Sequence, residues 1–237
     1  MKELFFDSIA STNSYLKDHY EELEDMTFVR AAYQSAGKGR LGRKWKAGNG
    51  EALMFSLLIK DEDLMSRSAA LSVLSACSVL KALESYGIKD LSIKWPNDVY
   101  AAGRKICGIL LEGVSREKRE CLIIGIGINV RQRTFEGDYL HEPVSMALLL
   151  EEEPAIEEVR DRVYERLLND IEELKSGKDL YPALCGYDYL EGKKAYALID
   201  GVRKPVDILG IAEDYSLQVK DDGELKKLFS DEITFHI

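Results

Sequence analysis

Apolar residues follow two spacings along the chain, and these sort it into strands and helices. Residues 52–59 are almost continuously apolar, as in a strand buried on both faces. Residues 4–6, 27–33, 91–95, 105–113 and 121–130 are rich in β-forming residues and predict further strands. Elsewhere the spacing changes to three and four. Residues 66–86 place Ala70, Leu71, Leu74, Cys77, Leu80 and Leu83 on one side of a helix, and Gly87 suits a left-handed cap beyond it. Residues 159–174 form a second amphipathic helix. Ser11 precedes Leu16, Tyr20 and Leu23, in position to cap a helix by accepting from its free first-turn amides. Pro96 stops one strand, Ala102-Gly103 reads as a turn, and the charged residues 115–120 read as a hairpin connection. After about residue 191 the texture changes. Short candidate strands lie at 195–199, 205–209, 216–219 and 225–229, with Asp200-Gly201 and Asp222-Gly223 as tight-turn dipeptides. The prediction is an α+β chain, with a mixed sheet flanked by helices over residues 1–190 and a small SH3-like β-barrel over 191–237.

A chain of 237 residues can bury a sizeable core. Its apolar runs are too short to span a bilayer, and the first ten residues lack a signal-peptide core, so a cytoplasmic protein is expected. Cys77, Cys107, Cys121 and Cys185 are far apart in apolar or small-residue surroundings and read as reduced thiols. His19, His141 and His236 are scattered, and no His/Cys spacing marks a zinc site. A net charge of −10 argues against a broad basic face for DNA. The charge is uneven, however. Residues 26–50 contain no acid but carry Arg30, Lys38, Arg40, Arg43, Lys44 and Lys46, the signature of a local anion site.

Four segments carry candidate chemistry. The first, Gly37-Lys38-Gly39-Arg40-Leu41-Gly42-Arg43-Lys44-Trp45, combines glycines that let backbone amides approach an anion with arginines that fork onto phosphate or carboxylate. Trp45 offers a face for a purine. By composition it is either a ligand loop or a mobile basic surface loop. The second is Lys94-Trp95-Pro96-Asn97-Asp98 followed by Gly103-Arg104-Lys105-Ile106-Cys107-Gly108. Lys105 opens an apolar strand and needs a partner or a ligand, with a snorkelling lysine beside a turn aspartate as the alternative. The third, Gly125-Ile126-Gly127-Ile128-Asn129, fits a strand whose backbone packs close to something; it lacks the third glycine of a dinucleotide fingerprint. The fourth, Ser11-Thr12-Asn13, is a helix start that can also face a small polar ligand.

Together, in this order, these segments resemble the biotin–protein ligases, which share a class II aminoacyl-tRNA synthetase-like catalytic fold. The resemblance covers nearly the whole chain, and the glycine/arginine loop followed by Lys-Trp-Pro-Asn-Asp is its specific part. It implies that Ser11, Thr12, Asn13 and Gln34 meet the ureido ring of biotin. Lys38, Gly39 and Arg40 would meet the ring and later the phosphate, and Lys105 the carboxylate and the ATP α-phosphate. Arg43, Trp45 and Asn129 would hold the nucleotide, together with Arg40 and Lys105, and Asp98 would orient or deprotonate the acceptor lysine. ATP with Mg²⁺ and biotin are the implied substrates, and a biotin carboxyl carrier protein the implied partner. No resident metal, DNA or membrane partner is expected, and a homodimer is compatible. Many relatives carry arginine where this chain has Lys38, and some where it has Leu41; lysine keeps the charge without the fork. Bifunctional relatives begin with a helix-turn-helix domain, whereas here Ser-Thr-Asn starts at residue 11, so a monofunctional ligase is expected. The rivals are a lipoate–protein ligase, a non-catalytic biotin sensor and a nucleic-acid module.

Overall fold

A computed structural model describes residues 2–115, 119–135, 137, 139, 141–184, 186–199 and 202–229. Its strands and helices in chain order are β1 (Lys2–Ile9), α1 (Thr12–His19), β2 (Thr27–Gln34), β3 (Ala52–Ile59), α2 (Glu62–Ser66), α3 (Ser68–Glu84), β4 (Leu91–Lys94), β5 (Asp98–Ala101), β6 (Arg104–Ser115), β7 (Arg119–Asn129), α4 (Ile156–Lys175) and β8–β11 (Lys194–Ile199, Val202–Ile211, Leu217–Asp221, Glu224–Leu228). The first seven strands form one sheet in the order β1-β2-β3-β7-β6-β5-β4. Only β1 and β2 pair in parallel; the other pairs are antiparallel, so the sheet is mixed.

The sheet has two unlike faces because side chains alternate along each strand. Leu53, Phe55 and Leu57 of β3 and Ile124, Ile126 and Ile128 of β7 share the main core with α3 and α4. Tyr164 of α4 is the deepest wedge there, its ring 4.1 Å from that of Phe28 and 4.7 Å from that of Phe55. The opposite face carries α1, whose Leu16 packs with Val29, Leu58 and Ile123. Beside α1 that face is open, and its register is informative. Met54 pairs with Gly127, Gly127 with Gly108, Gly108 with Asp98, and Asp98 with Lys94. Paired residues share a face, so a lysine, an aspartate and two glycines lie in one row across four strands.

Strands β8–β11 form a separate antiparallel sheet in the order β11-β10-β9-β8. Its inner residues, including Ala197, Val206, Ile208, Leu217 and Val219, join the same core as the large sheet. Asp222 and Gly223 both have positive φ, 49° and 88°, as the tight Asp-Gly turn requires. Asp200-Gly201 and Cys185 lie outside the described residues.

Several boundaries differ from the sequence prediction. The helix expected over 66–86 is α3, Ser68–Glu84, and a short helix that was not expected, α2, precedes it. Asp61 caps α2 by accepting from the Leu64 amide at 3.0 Å, and Arg67 breaks the run with φ −100° and ψ 33°. Gly87 does adopt φ 81°. Helix α1 stops at His19, short of Leu23. Strand β5 was not expected: its four residues sit between two turns and carry no alternation long enough to show.

Candidate active site

The open face of the large sheet forms one cleft, and every candidate residue named from the sequence lines it: Ser11, Thr12, Asn13, Gln34, Lys38, Gly39, Arg40, Arg43, Trp45, Asp98, Lys105 and Asn129. Its walls are the start of α1 and the loop between β2 and β3.

At one end, the hydroxyl of Ser11 caps α1 by accepting from the Ser14 amide at 3.4 Å. The Thr12 amide donates to Gln34 Oε1 at 2.7 Å. Ser56, fully buried in β3, has its hydroxyl 2.7 Å from Thr12 Oγ1 and 2.5 Å from Asn13 Oδ1. Asn13 Nδ2 donates to Glu112 Oε2 at 2.9 Å, which fixes the orientation of its amide. Gly125 makes room for this network: a Cβ there would stand 2.1 Å from Asn13 Oδ1. The result is a small polar pocket with its groups held in place, suited to a neutral ring bearing donors and acceptors.

The basic loop folds back on itself as a hairpin. The Gly39 amide donates to Arg43 O at 2.8 Å and the Trp45 amide to Gly37 O at 3.0 Å. At its tip Leu41 and Gly42 have φ of 55° and 73°, and Leu41 is 73% exposed. Arg40 turns inward and donates to Asn97 Oδ1 at 3.1 Å, while Asn97 Nδ2 is held by Ile109 O at 2.7 Å. Trp45 lies against the two glycines of the row. Cβ atoms at Gly127 and Gly108 would stand 2.6 Å and 3.2 Å from its ring carbons. Bare backbone at these positions is what lets an indole lie on the sheet.

Between the two ends, Lys105 Nζ donates to Asp98 Oδ1 at 2.6 Å. Its backbone is pinned on both sides, by Lys105 N to Glu142 O at 2.8 Å and Val144 N to Lys105 O at 2.9 Å. Asn129 points into the same region; its Nδ2 donates to Val144 O at 3.0 Å and its Oδ1 accepts from Gln132 at 3.2 Å. Lys94, at the far end of the row, is buried with Nζ 2.8 Å from His141 Nε2. Burial brings Lys94 down to about 8, and burial with the neighbouring Lys94 charge brings His141 down to about 4.

Among the described residues, the site offers cations, oriented amides and the carboxylates of Asp98 and Glu112, and no thiolate: Cys107 and Cys121 are buried with raised pKa, and burial pushes Cys77 up to about 11. Among the described residues, no three His, Cys, Asp or Glu side chains gather as a metal site. The site residues that sequence reasoning missed are Ser56, Glu112 and His141. A lone hydroxyl in an otherwise apolar strand could have marked Ser56; nothing local marks the other two.

Comparison with known proteins agrees with this geometry. The family model described as "Biotin/lipoate A/B protein ligase family" matches residues 5–129, which hold the whole polar pocket, the basic loop and the Lys94–Lys105 segment. The bifunctional ligase/repressor BirA of Escherichia coli K12 is 30% identical over 234 residues, covering 95% of this chain and 71% of that one. The biotin–[acetyl-CoA-carboxylase] ligase of Mycobacterium tuberculosis is 32% identical over 215 residues, covering 85% and 73%. The biotin protein ligase of Aquifex aeolicus, solved with biotin and ATP, superposes with a TM-score of 0.88 at 25% identity, over 99% of this chain and 98% of that one. By the family model, by identity across its length and by the shared fold, the chain belongs to the biotin/lipoate A/B protein ligase family.

Proposed function

We infer that this protein is an ATP-dependent biotin–protein ligase, which forms biotinyl-5′-AMP and passes biotin to a lysine of an acceptor protein. The observation that carries the reading is the placement, in one cleft, of a pre-set polar pocket beside a cluster of arginine and lysine at the strand ends. In this reading the ureido ring sits against Ser11, Thr12, Asn13 and Gln34, with Lys38 and Gly39 closing over it. The adenine lies on Trp45, with Arg43 and Asn129 alongside.

The biotin carboxylate attacks the α-phosphorus of ATP and pyrophosphate leaves. Two anions must meet, so their repulsion is the first obstacle. Arg40, Arg43 and Lys105 offset it and stabilise charge building at phosphorus. Mg²⁺ enters with the ATP phosphates as part of that substrate. Holding both reactants in line contributes up to roughly 7–11 kcal/mol of barrier reduction. The mixed anhydride must be kept from water, a task for the basic loop. Asp98 is paired with Lys105; a phosphate that takes over Lys105 releases Asp98 to orient or deprotonate the acceptor lysine, whose neutral amine attacks the biotinyl carbonyl as AMP leaves. No enzyme nucleophile is needed, which fits the thiols of Cys77, Cys107 and Cys121, held protonated by burial.

The acceptor in this reading is the biotin carboxyl carrier domain of a carboxylase. We further assign residues 1–190 to catalysis and 191–237 to a supporting SH3-like unit, within a class II synthetase-like architecture. Strand β1 leaves one edge of the large sheet unpaired, where a second copy would pair. No described helix is long and apolar enough to cross a membrane, and we place the enzyme in the cytoplasm with its ATP. The test is the intact mass of a carrier domain incubated with MgATP, protein and biotin or lipoate. A biotin-sized gain that needs ATP and the carrier's target lysine is expected. A gain only with lipoate would move the chain to the sister activity, and tight biotin binding without any gain would make it a sensor.

A further inference from the structure

Gln132 lies just beyond Asn129, the end of β7, and is not used by the mechanism above. It is 2% exposed, and the Ser145 hydroxyl holds its main chain by donating to Gln132 O. Its side chain reaches back to the cleft wall, where Nε2 donates to Asn129 Oδ1 at 3.2 Å. Asn129, 4% exposed, is engaged on its other side as well: Nδ2 donates to Val144 O at 3.0 Å and, more weakly, to Lys105 O at 3.5 Å. A side-chain amide has two donor hydrogens and two acceptor lone pairs. The protein therefore takes both hydrogens of Asn129 and one lone pair of Oδ1, and what is left for a ligand is an acceptor. Gln132 Oε1 is buried with no hydrogen-bond partner among the described residues, so the other unspent group at this corner is an acceptor too.

Asn129 stands two residues beyond Gly127 on β7, so both face the cleft. Gly127 lies under the Trp45 indole, where a Cβ would be 2.6 Å from the ring. A base stacked on that indole presents its edge to Asn129. Adenine carries an exocyclic amine, a donor, where guanine and hypoxanthine carry an oxo group, an acceptor. Held by Val144 O alone, the Asn129 amide would be free to swivel about that bond; the bond from Gln132 removes this freedom. We propose that Gln132 is a positioning residue: it fixes the Asn129 amide with its acceptor toward the base, and so makes the enzyme select amino-purine over oxo-purine nucleotides. An oxo group at this corner meets acceptors with no hydrogen between them, and buried oxygens stay unpaired. This role rests on the nucleotide placement proposed above.

The experiment is biotin-dependent exchange of labelled pyrophosphate into ATP or ITP by wild type, Gln132→Glu and Gln132→Met, with folding checked by circular dichroism. ITP differs from ATP in carrying the oxo group. Glutamate keeps the shape of glutamine but sets an acceptor against Asn129 Oδ1; methionine keeps the bulk and supplies neither donor nor acceptor. Wild type is expected to prefer ATP, read as the ratio of kcat/KM for the two nucleotides. That ratio should fall by about tenfold in Gln132→Glu, the worth of one hydrogen bond, and by about threefold in Gln132→Met, where Val144 O still holds the amide. The KM for biotin, whose pocket lies at the other end of the cleft, should stay within about twofold of wild type. Should Gln132→Glu fail to fold, Gln132→Met carries the comparison. A wild type that uses ITP as well as ATP, or losses shared equally by ATP and ITP in the folded variants, would overturn this inference alone, because a residue that merely packs does not move their ratio. An Asn129→Ala variant that keeps the wild-type ratio would overturn the nucleotide placement and this inference with it. No biotin-dependent exchange by wild type would overturn the adenylation reading as well.

Discussion

Gly125 and Gly127 are two residues apart on β7 and face the same cleft, yet each underlies a different part of it. Gly127 sits in regular antiparallel pairing with Met54 and Gly108, in backbone that alanine can adopt. Replacing glycine by alanine inside a strand favours the fold by roughly 0.5–1 kcal/mol. The new Cβ, however, would lie 2.6 Å from Cε2 of Trp45. Carbon pairs rest at about 3.5–4.0 Å, so the indole must retreat by about 1 Å. A displacement of that size at a reacting centre costs on the order of 10²-fold. Gly127→Ala is therefore expected to raise the KM for ATP by about ten- to a hundredfold, at a melting temperature no lower than wild type. Gly125→Ala brings its Cβ to 2.1 Å from Asn13 Oδ1 instead, and should weaken biotin by a similar factor while sparing ATP. The assay is steady-state pyrophosphate release with each substrate varied in turn, beside tryptophan fluorescence, which reports the Trp45 environment against the buried Trp95. Loss of the same substrate in both variants, or an unchanged ATP KM in Gly127→Ala, would refute the division of the cleft.

Arg40→Ala and Lys105→Ala should each cut adenylate formation by about 10²–10³-fold while circular dichroism stays native; wild-type pyrophosphate release from either folded variant would count against the assignment. Trp45→Ala should raise the KM for ATP more than that for biotin, and an equal change in both would take the indole off the nucleotide. Ser56→Ala removes the buried hydroxyl that joins Thr12 and Asn13. It should cost about 1 kcal/mol of stability, read by denaturant titration, and weaken biotin in calorimetry; unchanged biotin binding would show that Thr12 and Asn13 hold their positions without it.

What the sequence made legible follows from the range of the forces involved. The long strand β3, the cap at Ser11, and the Ala102-Gly103 turn, where φ is 49° and 73°, are local features with local signatures. The basic loop and Lys94-Trp95-Pro96-Asn97-Asp98 were visible because their chemistry is concentrated in short segments. Two kinds of feature were hidden. The junction of α2 and α3 at Arg67 has a partner far along the chain, since its guanidinium donates to Leu174 O at 3.1 Å. Glu112 of β6 reaches Asn13 of α1, and His141, in the segment after β7, reaches Lys94, contacts between residues too far apart for any window of sequence to contain. Strand β5 failed for a third reason. Its four residues lie between Pro96 and the Ala102-Gly103 turn, too few to show an alternation, and only pairing to β4 and β6 makes them a strand.

The five residues from Lys94 to Asp98 also show why so much of the site sits in so little chain. Alternation sends Lys94 and Asp98 to the cleft face, while Trp95 turns into the core, 3% exposed, and donates through Nε1 to Tyr215 O at 2.8 Å, in the turn between β9 and β10. Pro96 O accepts from Ser72 of α3 at 3.0 Å. Asn97 faces both ways, accepting from Arg40 of the basic loop and donating to Ile109 O in β6. Each residue therefore anchors the segment to a different element: His141, the small sheet, α3, the basic loop and Lys105. A segment tied at five points cannot drift when a charged substrate arrives, so the positions of Asp98 and Lys94 relative to Lys105 are set before binding. That is the condition under which electrostatic stabilisation exceeds what the same charges would supply in water. It also ties the small sheet to the wall of the cleft, because the backbone of Tyr215 holds the tryptophan that stands between the two cleft-facing side chains.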